Sequence, residues 1–130
     1  MSDISCDFIV PSEKEYIKAL KALKKSVTDT QKQMLNYHVR QPNRVATFEQ
    51  LAEAAGLAGF EQAKAEYEQL GKLVGNELNM GFLESVANPG EPFYSSALGG
   101  GNPYKPEREN YHLVLHHEFV AAVVKLKWVK

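Results

Sequence analysis

The sequence predicts an α+β domain that is mostly helical, and three observations carry that prediction. Phe60, Ala63, Tyr67, Leu70, Val74 and Leu78 recur at steps of three and four, which places all six on one face of a helix. Ser12, Thr28 and Thr47 each stand three residues ahead of a Glu or Gln (Glu15, Gln31, Gln50), the spacing at which two side chains cap one helix N-terminus reciprocally. Short apolar runs at 44–47, 82–86 and 111–115, bounded by Gly, Pro and Asn, read as strands.

Taken in order, residues 1–11 form an N-terminal arm, and Ser12 opens the first helix. Ile17, Leu20 and Leu23 fall near one face of it, with Tyr16 and Ala19 flanking. Lys14, Lys18, Lys21 and Lys25 form a separate stripe, spaced four, three and four. That stripe reads either as a solvated face or as a non-specific strip for phosphates. Thr28 caps a second helix running to about Arg40, with Met34, Leu35 and His38 facing inward; His38 reads as a half-buried structural histidine. Pro42 ends that helix, because proline disfavours helical geometry in the residue before it. Arg44 to Thr47 then forms a short edge strand.

Thr47 starts a short helix that stops at Gly56, where a left-handed residue costs glycine little. The long helix from Phe60 follows, with Gly81 as its expected cap. Gly71 and Gly75 lie beside its apolar stripe, where they let another backbone approach closely. Residues 82–86 and 111–115 are expected to pair as a hairpin. Residues 88–110 between them, rich in proline and glycine, form a long flexible loop with the triple glycine 99–101 at its tip. Residues 117–126 are expected to form a closing helix, with a strand the alternative that their valines leave open, and Trp128 and Val129 seal the edge of the core.

The order helix, short strand, helix, helix, strand, long loop, strand is that of a winged helix, a helix-turn-helix core with a β-hairpin wing and, here, a C-terminal helix. One such domain fills 1–130. On the long helix the positions opposite the apolar face are Glu61, Gln62, Ala65, Glu68, Gln69, Lys72 and Asn76. Amides at Gln62, Gln69 and Asn76, with Lys72 between them, have the chemistry to read base edges in a major groove. Against this, residues 60–79 carry four Glu and two Lys, a net of −2, where sequence readers present a basic footprint. Lys105 and Arg108, with Phe93, Tyr94 and Tyr104 nearby, suit a wing that tracks a backbone or minor groove.

The remaining constellations are weaker. The triple glycine lacks the Gly-Lys-Ser/Thr ending of a phosphate loop. His112, His116 and His117 have no acidic or cysteine partner at metal-ligand spacing beyond Glu118, so no metal or cofactor is expected. No nucleophile elbow or paired-carboxylate arrangement is present, and the expectation is a protein that is not an enzyme. The net charge of −1 discriminates nothing by itself. The single cysteine, Cys6, excludes an internal disulfide and fits a reducing cytoplasm. No apolar run approaches the roughly 20 residues of a membrane span, and the aspartates of the first ten residues do not suit a signal peptide.

Leu20 and Leu23, Met34-Leu35 with Tyr37-His38, Val45-Ala46-Thr47, Leu51-Ala52, Ala55-Gly56, and Tyr67, Leu70, Gly71 and Leu73 together form a further pattern. With the closing 117–122 and Trp128-Val129, it resembles a small bacterial module that often sits N-terminal to HNH-type restriction-like endonuclease domains and also occurs alone. The resemblance implies a winged-helix-type unit that binds DNA. It carries over no catalysis, because no HNH nuclease segment is present, and the long helix here is more acidic than the module's. The leading expectation is therefore a non-enzymatic DNA-binding module with a recognition or regulatory role. The rival is a protein-interaction module, in one form a homodimer, that uses the acidic long helix and has lost DNA binding. A third reading is small-ligand binding between the loop and the long helix.

Overall fold

The computed structural model describes residues 4, 8–102, 104–107 and 110–129; Cys6 and Arg108 lie outside the described residues. The three reciprocal caps form as their spacing dictates. Ser12 with Glu15 starts Glu13–Ala22 (α1), Thr28 with Gln31 starts Asp29–Val39 (α2), and Thr47 with Gln50 starts Phe48–Ala54 (α3). Between α2 and α3, Pro42–Arg44 makes one 3-10 turn and Val45–Ala46 is a strand (β1). Phe60–Glu77 is the long helix (α4) and His117–Lys125 closes the chain (α5).

Three of these helices end in the same way, with a left-handed residue whose neighbour reaches back to the last turn. After α3 that residue is Gly56 at φ 70°, after α4 it is Asn79 at φ 53°, and after α5 it is Lys127 at φ 60°. In each case the following amide returns to a carbonyl of the last turn: Leu57 to Ala52, Met80 to Gly75, Trp128 to Val123. The cap expected at Gly81 is therefore made two residues earlier. Asparagine tolerates the left-handed region well enough to do it.

The strand pairing also departs from the sequence expectation. Leu83–Glu84 (β2) does not pair with 111–115; it forms a small local ribbon with Pro92–Phe93 (β3). Leu113–Leu115 (β5) instead lies between β1 and Gly99–Gly100 (β4), giving an antiparallel sheet in the order β1-β5-β4. The alternation of β5, with Leu113 and Leu115 buried and Val114 exposed, suits a central strand with one buried face. The triple glycine is correspondingly no loop tip. Gly99 is buried in the sheet, and a Cβ there would fall 2.4 Å from the Val114 carbonyl oxygen.

Nor are residues 88–110 one long loop. Tyr94–Ala97 forms a 3-10 turn, Ser95, Ser96, Ala97 and Leu98 are all buried, and Tyr16 donates its hydroxyl to the Ala97 carbonyl at 2.6 Å. The stretch is tied in because α4 offers it Gly71, and Gly75 makes room for the segment just before it. A Cβ on Gly71 would lie 2.1 Å from the Tyr94 carbonyl oxygen, and one on Gly75 would lie 2.4 Å from the Phe82 ring. The core is continuous: Tyr16, Leu20, Met34, Leu35, Phe48, Tyr67, Leu70, Leu113 and Phe119 are fully buried within it. Tyr16 meets Phe119 edge-on at 5.3 Å.

Candidate nucleic-acid interface

The long helix is amphipathic as its period requires. Ala63, Tyr67, Leu70 and Val74 are buried, while Glu61, Gln62, Ala65, Gln69, Lys72 and Asn76 are exposed. Gln62, Gln69, Lys72 and Asn76 thus lie on one outward stripe, as the sequence places them. Gln62 spends its oxygen on the Ala58 amide at 2.9 Å, which supports the start of α4 where Gly59 offers no side-chain cap. Lys72 holds its ammonium 5.2 Å from the centre of the Tyr94 ring, a cation–π contact that orients it.

Two glutamates of the same helix behave differently from what its sequence suggests. Glu68 is turned into the body, where it accepts the Ser95 hydroxyl at 2.7 Å and the Ser95 amide. Burial pushes its carboxyl above the ordinary value, and the Ser95 donors and the nearby Lys64 partly offset that. Glu66 accepts the Gln31 side-chain amide at 3.2 Å. The exposed acids of α4 are therefore Glu61 and Glu77, at its two ends. The like-charge objection to phosphate at the middle of the stripe is weaker than the residue count implies.

The connection between β4 and β5, residues 101–112, carries Lys105. This lysine is exposed and, with Asn102, Asn110 and His112, lines a cavity of about 490 Å³; Tyr104 beside it is almost fully exposed. Arg108 lies outside the described residues. The segment is anchored by Glu107, whose carboxylate accepts the Ser85 hydroxyl at 2.8 Å and the Val86 and Ala87 amides at 2.9 and 3.0 Å. Burial acts to raise its pKa, but those three donors prevail and hold it below the usual carboxylate range. No local spacing announces the contacts of Glu68, Lys72 or Glu107, because their partners lie some 20 residues or more away.

The stripe Lys14, Lys18, Lys21 and Lys25 is exposed. Lys14, Lys18 and Lys21 sit on α1, which packs chiefly on α5, and Lys25 lies in the turn that follows.

The histidines are structural or solvent-exposed. His38 is fully buried, more deeply than the sequence suggests, with Nε2 at 2.9 Å from the Leu113 carbonyl and Nδ1 at 2.9 Å from the Tyr67 hydroxyl. The carbonyl can only accept, so Nε2 carries the proton and Nδ1 accepts from Tyr67. Desolvation lowers its pKa to about 4, so the ring is neutral. His116 donates from Nε2 to the Ser96 carbonyl at 2.8 Å, and burial lowers its pKa also. His112 and His117 are exposed. Among the described residues there is no group of three His, Cys, Asp or Glu side chains that could hold a metal ion. No helix among them is long and apolar enough to cross a membrane. Comparison with family models, curated proteins and solved structures finds no match to this chain.

Proposed function

We propose that this chain is a non-enzymatic winged-helix module that binds duplex nucleic acid with the outward stripe of α4 and the 101–112 wing. The observation that carries the reading is the threading of the sheet. β1 falls between α2 and α3, β4 and β5 flank the wing, and the strand order is β1-β5-β4. We read this as the order of a winged helix, with residues 79–98 inserted between the long helix and the sheet and their Tyr94–Ala97 turn packed against α4. Gln69 and Asn76 supply paired donors and acceptors for base edges, and Gln62, whose oxygen accepts from Ala58, supplies its amide donors. Lys72 and Lys105 supply charge for the phosphates on either side. The inward turn of Glu68 supports the reading by clearing negative charge from the middle of the stripe.

The test is a titration of a labelled mixed-sequence duplex, first at low salt and then at higher salt. Binding is expected at low salt and should weaken as salt rises. Lys72→Glu and Lys105→Glu should each weaken it, and each is expected to reduce the slope of log affinity against log salt by about one. If no complex forms at tens of micromolar (on the order of the non-specific range) in low salt, the reading fails.

A further inference from the structure

Two sets of exposed charges stand outside that interface. Lys14, Lys18 and Lys21 on α1 and Lys25 in the turn after it are exposed, and the helix's own glutamates are occupied, Glu15 in the capping box and Glu13 with Lys125 at 3.9 Å. At the turn between α3 and α4, Glu49 and Glu53 are exposed over a notch of about 500 Å³ that Leu57, Ala58 and Phe60 also line. Like charges four apart weaken a helix, and α3 contains no cation to offset them. Among the described residues, neither these two glutamates nor those four lysines take part in an ion pair.

We propose that the two sets satisfy each other between copies of this chain, the lysine stripe of one seating on the notch of the next. The spacing agrees. Lys14 and Lys18 are four residues apart on α1, as Glu49 and Glu53 are on α3, so both pairs rise about 6 Å along a helix. A lysine is suited to such a notch because its stem covers apolar surface, here Leu57 and Phe60, while its ammonium reaches the acids at the rim. Seated head-to-tail, one contact leaves a lysine stripe and a notch open at the two ends of the pair, and further copies extend the chain from them.

Light scattering over a concentration series, without nucleic acid, tests this independently of the duplex titration. At low salt the average mass should rise with concentration and pass twice the monomer mass. In about 0.5 M salt, where charges are screened within a few ångströms, it should return to the monomer. Glu49→Lys with Glu53→Lys, and separately Lys14→Glu with Lys18→Glu, should each be monomeric, and mixing the two should restore association. All four positions are exposed; circular dichroism matching the parent confirms folding, and Glu49→Gln with Glu53→Gln provides a gentler variant. A parent that stays monomeric up to about 1 mM at low salt overturns the proposal. So does a mass that stops at the dimer, or a variant that associates like the parent.

Discussion

Gly71→Ala should destabilise the protein, against the ordinary effect of that substitution in a helix. In an exposed helix interior it would stabilise by about 1 kcal/mol, since glycine loses more backbone freedom on folding. Here the added Cβ would lie 2.1 Å from the Tyr94 carbonyl oxygen, 2.7 Å from its carbon and 3.1 Å from the Ser95 Cα. These are backbone atoms, so no side-chain rotation relieves the overlap and the 94–95 segment must withdraw. Forcing extra volume into a packed site costs about 1–3 kcal/mol. The withdrawal also stretches the two hydrogen bonds from Ser95 to the Glu68 carboxylate, and bonds to a charged group are worth about 1.5–3 kcal/mol. Set against the helical gain, the net loss is about 2–4 kcal/mol. Urea unfolding followed by circular dichroism measures it as a lower midpoint at unchanged slope. Gly75→Ala, whose Cβ meets only the rim of the Phe82 ring, should cost less because a ring can move. If Gly71→Ala is as stable as the parent, or more so, the close packing of residues 94–95 on α4 is wrong.

Two further predictions concern stability alone. His38 has a folded pKa of about 4 against an ordinary 6.5, so the unfolded chain takes up a proton there that the folded chain refuses. Its contribution is fully present above pH 6.5 and is lost as pH falls toward 4, with about 2 kcal/mol gone between pH 7 and 5. Glu68, whose pKa is raised, acts in the opposite sense as pH falls, and His116, whose pKa is lowered, acts in the same sense, so the unfolding series is best run with Glu68→Gln and His116→Gln in the background. A flat profile in that background would show that His38 is not held neutral. Gly59→Ser should stabilise by about 0.5 kcal/mol, since the position is extended, open within 4 Å and lacks a side-chain cap. A lower thermal midpoint would contradict that geometry.

How much of this was legible depends on how far apart the partners lie. The caps at Ser12, Thr28 and Thr47 close within three residues, so spacing alone reveals them. The apolar face of α4 and the turn at Gly56 are equally local. The sheet is not. Residues 82–86 and 111–115 both look like strands, and nothing in either says that the glycines at 99–100 are the better partner for β5. Glycine there reads as loop until a neighbouring backbone is seen to need the space. The same limit governs the interface. Gln62, Gln69, Lys72 and Asn76 are found by helical period, but by sequence Glu68 stands against them, because Ser95, 27 residues on, is invisible from the helix. His38 was read correctly as structural, though its depth depends on Tyr67 and Leu113, neither of them local.

The measurement closest to the central claim is an amide and side-chain NMR titration of the ¹⁵N-labelled protein with a mixed-sequence duplex at low salt. Shifts are expected to concentrate at Gln62, Gln69, Lys72 and Asn76 and across residues 101–112, and to fade as salt is added. Shifts confined to α1 or to the notch at the α3–α4 turn, or no shifts at all with duplex in excess, would contradict that claim.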